Sequence, residues 1–107
     1  MTIIYFSDGY KGGASTFLEQ NIKYNLKNKK KVILVDKNFK KTFPNLKKSK
    51  YLKIFNLDIY KDKKIIKKKI NDLKIKNQIF FFTNYAILIC YFLFFISFKK
   101  KIDIVLT

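Results

Sequence analysis

Residues 7–16, SDGYKGGAST, hold all three glycines of a 107-residue chain. The stretch follows the apolar run Ile3, Ile4, Tyr5, Phe6 and leads into a helical pattern, so it reads as the turn between a first strand and a first helix. Glycine at 12 and 13 leaves positive φ open to the backbone and lets a ligand come close. The first amides of the following helix point outward with a partial positive charge. A phosphate or diphosphate is therefore the expected guest, held by Gly12, Gly13, Ala14, Ser15 and Thr16. The alternative is that Gly9, Gly12 and Gly13 only make a tight turn and a close contact between helix and strand. Asp8 suits a turn and not an anion site.

Working outward, Met1 to Phe6 reads as a buried strand. Phe17, Leu18, Ile22 and Leu26 recur at helical spacing, which predicts an amphipathic helix from Phe17 to Lys27. Thr16 with Glu19 three residues on fits a capping box at its start, and Ser15 is a rival cap. Lys29 to Lys31 carries the chain into a second strand, Val32 to Val35, ending at Asp36. This is a βαβ unit, whose strands run parallel. Residues 37–50, with the single Pro44, read as a loop holding one helical turn. A third strand over Leu52 to Leu57, a Lys-rich helix from about Asp62 to Lys76, a fourth strand over Gln78 to Phe82, an apolar helix from Tyr85 to Phe98 and a fifth strand over Ile102 to Leu106 complete the pattern. The fold expected is α/β: a Rossmann-like open parallel sheet of about five strands, buried on both faces and flanked by helices.

Composition narrows the chemistry. The hydrophobic share of 49% supports a packed core in spite of a formal charge of +17. All 24 basic residues are Lys, which an AT-rich coding sequence produces by codon bias alone. Readers of specific nucleic-acid sequence lean on Arg forks, so no specific nucleic-acid partner is expected. With no His in the chain, zinc sites of the usual kind and Ser/His/Asp triads drop out. The lone Cys90 lies in an apolar run and has no partner for a disulfide. No signal peptide is evident at the amino terminus.

The segment GGASTFLEQNIKYNLKNKKKVILV, from Gly12 to Val35, resembles the start of GT-B glycosyltransferases of the large retaining family that includes mannosyl- and glucosyltransferases. QIFFFTNYAILICYFLFFISFKKKIDIVLT, from Gln78 to Thr107, is similar to the family's fourth strand, apolar helix and fifth strand. Thr83-Asn84 stands where many members carry a His. The resemblance implies that Gly12 and Gly13, with Ala14, Ser15 and Thr16 at the helix start, face the diphosphate of a nucleotide-sugar donor. It implies no resident cofactor, and it names no catalytic residue and no metal ligand here. Family members continue into a second, donor-binding domain. Residues 1–107 are accordingly expected to be a truncated amino-terminal half, cytoplasmic, with the Lys63 to Lys76 helix suited to an anionic inner membrane face.

Two other readings stand beside this one. KGGAST resembles the deviant Walker A of the ParA and MinD ATPases, and Val35-Asp36 matches their second strand end, but the phosphate-reaching lysine before the Ser/Thr is missing. Ile79 to Phe98 carries no charge and is flanked by lysines, long enough for a single membrane span in a protein without catalysis. Against that, a helix starting after Thr83-Asn84 has about 14 residues and rises only ~21 Å, short of a ~30 Å core.

Overall fold

The computed structural model describes residues 2–73, 77–82, 87, 88, 91 and 101–106. Five strands, β1 (Thr2–Phe6), β2 (Lys31–Val35), β3 (Leu52–Phe55), β4 (Asn77–Phe82) and β5 (Lys101–Leu106), form one sheet in the order β3-β2-β1-β4-β5. All four pairings are parallel. The helices are α1 (Gly13–Lys27), the single turn α2 (Phe39–Thr42) and α3 (Lys63–Asp72). The expected fold class, an open parallel α/β sheet with flanking helices, is what the chain adopts.

Why this arrangement follows from the sequence is visible in β1, whose five residues are all buried. A strand apolar on both faces has to lie inside a sheet covered on both sides. Side chains of a strand alternate between faces, and the two cores separate accordingly. On one face Tyr5, Leu34 and Phe81 pack with Leu18 and Ile22 of α1 and with Phe43 and Leu46. On the other, Ile4, Phe6, Ile33, Val35, Phe80 and Phe82 pack with Ile66 and Ile70 of α3 and with Ile87 and Tyr91. Aromatic rings supply much of this second core: Phe6 stacks on Phe82 with centroids 4.6 Å apart and leans on Tyr91 at 5.0 Å. Each such ring buries roughly 150–250 Å². Tyr91 remains satisfied there because its hydroxyl donates to the Ile59 carbonyl at 2.8 Å.

Helix α1 ends in a Schellman motif. The Lys30 amide donates to the Asn25 carbonyl and the Lys29 amide to the Leu26 carbonyl, each at 3.0 Å. Lys29 takes φ 58 to close it, a left-handed position usually given to glycine.

Several boundaries differ from expectation. β3 stops at Phe55, not Leu57, because the Leu57 amide folds back onto the Phe55 carbonyl at 2.8 Å. Helix α3 stops at Asp72 because Leu73 is extended. The edge strands are not buried on both faces: Lys53 of β3 is exposed, and Ile104 of β5 is 46% exposed. The expected helix from Tyr85 to Phe98 lies outside the described residues except for Ile87, Leu88 and Tyr91, whose backbone is helical. A membrane-spanning rod over 79–98 is excluded, since 79–82 belong to β4 and pair with β1 and β5. Among the described residues no helix is long and apolar enough to cross a membrane.

One polar residue sits badly. Gln78 of β4, next to Thr2 of β1, is 1% exposed, and among the described residues neither its amide oxygen nor its nitrogen has a hydrogen-bond partner. Burying an unsatisfied group costs about 1–3 kcal/mol. Gln78→Met, unbranched and of similar length, should therefore raise stability by about 1–3 kcal/mol. The check is a higher urea midpoint at unchanged denaturant slope.

Candidate functional site

From β1 the sheet grows through β2 to β3, and the chain then returns to pair β4 on the other side of β1. Crossovers before and after that reversal lie on opposite faces, so a crevice opens at the carboxyl ends of β1 and β4. Residues 7–12 leave β1 at this point and deliver the chain to α1.

The turn is built by side chains bonding to nearby amides. The Gly9 amide donates to Ser7 Oγ at 3.3 Å and the Tyr10 amide to Asp8 Oδ1 at 3.1 Å. Asp8 is thus a turn residue, as expected. Gly9 carries φ 82, and a Cβ there would lie 2.7 Å from Lys37 Cγ. Here glycine is needed by the fold itself.

Gly12 and Gly13 behave otherwise, and the expectation of positive φ at these positions is corrected: Gly9 is the positive-φ glycine. Gly12 is extended, with φ −179 and ψ −161. A Cβ on Gly12 or Gly13 would meet nothing within 4 Å, so close packing of helix on strand does not call for glycine either. Both residues are exposed.

Helix α1 begins at Gly13, four residues before the predicted Phe17, with Gly12 as N-cap. Ser15 is neither the cap nor a free hydroxyl. Its Oγ accepts from the Gly12 amide at 2.7 Å and donates to the Gly12 carbonyl at 2.8 Å, and the residue is buried. Thr16, the other predicted cap, lies a full turn inside the helix; its amide and Oγ1 both donate to the Gly12 carbonyl at 3.0 Å. The backbone amides of Gly13, Ala14 and Ser15 precede this first intrahelical bond, where the helix dipole is most positive. The structure therefore brings together the predicted residues 12–16 as a helix start, with Gly12, Gly13, Ala14 and Thr16 exposed and Ser15 buried.

Neighbours that the sequence reading did not single out complete the edge. Lys37, one residue beyond Asp36, places Nζ 4.9 Å from the Tyr10 ring centroid and 3.5 Å from Asp58 Oδ2. Past it lies a cavity of about 460 Å³ lined by Lys37, Asn38, Lys40, Lys41, Ile54 and Asn56. The signal that could have found Lys37 is positional: it stands two residues past the carboxyl end of β2, the strand next to β1. Asp58 accepts from the amides of Lys61 and Tyr60, and these bonds, the Lys61 one foremost, with the nearby Lys37 ammonium hold its carboxyl below the ordinary value.

Asp36 matters differently. It is fully buried; one carboxylate oxygen accepts from Ser7 Oγ at 2.5 Å, and the other from the Asn38 amide at 2.6 Å. It ties the end of β1 to the end of β2 and is not presented to a ligand. Burial is the main cause that raises its pKa above 3.8, helped by the negative Asp8 and opposed by its hydrogen bonds.

As chemistry, the edge offers backbone donors and a helix dipole to an anion. Among the described residues it presents no side chain positioned as a nucleophile or general base. Compared with known proteins, the chain matches no family model, no curated protein and no solved structure.

Two outcomes are expected from variants here. Gly13→Ala, at the first helical position, should fold and gain about 0.5–1 kcal/mol, whereas Gly9→Ala should lose at least about 1 kcal/mol from its left-handed backbone; thermal unfolding of the two checks this. At Asp36 the folded state holds the proton more tightly than the unfolded chain does. Its contribution to stability is full below 3.8 and falls as pH rises through the raised folded-state value. Asp36→Asn can keep the bonds to Ser7 and Asn38 without a charge, so the stability difference between variant and native chain should grow in the variant's favour over that rise. Urea midpoints across the same range check it.

Proposed function

We propose that this chain serves as the amino-terminal Rossmann-like part of a glycosyltransferase that moves a sugar from a nucleotide-sugar donor to an acceptor. The donor's diphosphate would lie against Gly12 and Gly13, and the amides of Gly13, Ala14 and Ser15 would donate to its oxygens. The observation that carries this reading is a pair of glycines that neither backbone angle nor packing requires, standing exposed at a helix start beside the switch point. Space in front of such amides suits a diphosphate, which any side chain at 12 or 13 would crowd. The family resemblance of Gly12 to Val35 supports the same assignment.

In this reading the loop's contribution is electrostatic. As the bond from sugar to diphosphate breaks, negative charge grows on the leaving oxygen, and fixed N–H donors with the helix dipole stabilise it without reorganising. The Ser15 hydroxyl acts one step back: by clamping Gly12 from both its amide and its carbonyl, it holds the loop in the shape that aims those donors. Lys11, exposed and next to Gly12, adds positive charge at the same edge.

Titrating UDP-glucose and GDP-mannose into the ¹⁵N-labelled chain tests this. The expected result is a saturable shift of the Gly12, Gly13 and Ala14 amides, reversed by excess inorganic pyrophosphate. Gly12→Val, whose side chain enters open space in the extended backbone, should keep the fold and weaken binding by about tenfold or more, about 1.4 kcal/mol. Absence of shifts at these amides with millimolar donor, or shifts that Gly12→Val leaves unchanged, would overturn the proposal.

A further inference from the structure

The opposite end of the sheet differs in charge from the candidate site. Four of the seven carboxylates, Asp8, Asp36, Asp58 and Asp62, gather at the carboxyl ends of the strands; Asp72, the last residue of α3, lies at the amino end, but residues 20–35 and 37–57, which supply the groove described next, contain no Asp or Glu. The last turns of α1 and the segment 45–49 meet at the amino ends of the strands and enclose a groove of about 460 Å³. Lys23, Lys27, Lys47 and Lys48 line it with Leu26 and Leu46. All four lysines are exposed, and Leu46 is buried. Lys23 lies 3.5 Å from Glu19; among the described residues, Lys27, Lys47 and Lys48 are in no ion pair. Through Ser49 and Lys50 the groove adjoins a second cavity of about 310 Å³, lined by Lys31, Lys50, Tyr51 and Lys53 among others.

We propose that this end of the molecule binds single-stranded nucleic acid without sequence preference, its phosphates running between the lysines of α1 and those of residues 47 and 48. Three features select this occupant. A concave channel with cations on both walls fits a flexible phosphate chain, whereas a flat anionic surface would reach only its rims. Tyr24, next in the chain to the groove-lining Lys23, is 65% exposed, and Tyr51 of the adjoining cavity has Lys50 Nζ 5.2 Å from its ring centroid; aromatic side chains of this kind can stack bases whatever their identity. Lysine without arginine supplies charge without the bidentate fork that reads base edges. The inference does not rest on the glycosyltransferase reading, because the groove and the Gly12-Gly13 loop lie at opposite ends of the strands.

The test is fluorescence anisotropy of a labelled oligodeoxythymidylate of about 20 nucleotides with the full chain, at two salt concentrations. Four neutralised phosphates give a slope of about −2.8, so affinity should fall about 50-fold between about 50 and 200 mM salt. In the Lys47→Gln, Lys48→Gln double variant the fall should shrink to about 7-fold. The Lys64→Gln, Lys68→Gln double variant removes the same charge from exposed positions on α3, across the sheet, and should keep the original slope. Equal slopes in the two double variants would reduce the effect to diffuse attraction and overturn the proposal. So would no binding at the lower salt, or capture by phosphatidylserine vesicles that depends on Lys47 and Lys48 when oligonucleotide binding does not.

Discussion

The parallel pairing of β1 with β4 is the constraint on which the carboxyl edge depends. β1 is bonded in register on both sides, Ile4 facing Ile33 of β2 and Phe80 of β4. The order of the strands reverses there, and so does the face on which the connecting helices lie. Were β4 to add beyond β3, the loop after β1 would open between neighbours whose helices lie on one face, and no crevice would form. The pairing is stabilised chiefly by rings: Phe6 on Phe82, Tyr5 on Phe81. Apolar burial thus decides where a polar site can lie.

The pairing also explains why so much hydrogen bonding concentrates at Ser7 and Asp36. A strand buried on both faces ends abruptly, and the chain leaving it must satisfy its backbone close to a dry core. Ser7 does so with its amide, which donates to the Val35 carbonyl at 3.0 Å, and with a hydroxyl shared between Asp36 and the Gly9 amide. The cost is a carboxylate in a desolvated place. Its bonds to Ser7, Asn38 and Thr42 lower that cost without removing it, since burial still outweighs them in setting its pKa. Asp36 is better understood as a clamp on the loop than as a ligand-binding group.

Much of this was legible in the sequence because continuous apolar runs and helical spacing are strong, local signals. β1, β2, β4 and β5 fall within a residue or so of where Ile3 to Phe6, Val32 to Val35, Gln78 to Phe82 and Ile102 to Leu106 suggest. What escaped were features decided by single hydrogen bonds. The start of α1 is one: Ser15 fits a cap by type, but its hydroxyl turns back to Gly12, and the helix begins a turn earlier. The division of labour among the glycines is another. All three look alike as letters, yet Gly9 answers to backbone conformation and a neighbouring lysine, while Gly12 and Gly13 answer to neither. Only the folded chain separates these cases, because φ is set by the turn as a whole and crowding at Cβ depends on where Lys37, from the next strand's end, comes to rest.

Lysine content and lysine placement carry different information. A composition that codon bias can produce says nothing about function, and on α3 the exposed Lys64 and Lys68 simply line the solvent side of a helix whose Ile66 and Ile70 are buried. Placement becomes informative where carboxylates are distributed unevenly, because at interaction lengths of about 8–10 Å each lysine is screened chiefly by what lies close to it. At the carboxyl edge Lys37 has Asp58 within reach, and its charge is largely answered. At the amino edge Lys27, Lys47 and Lys48 line one groove, and the carboxylate that reaches its wall, Glu19, is taken by Lys23, so repulsion among the other three is relieved by solvent ions or by a bound polyanion. A fold that places four of its seven acids at the carboxyl edge, and none in residues 20–35 or 37–57, thereby gives that edge and the groove of α1 different electrostatic characters, even though the chain as a whole is strongly basic.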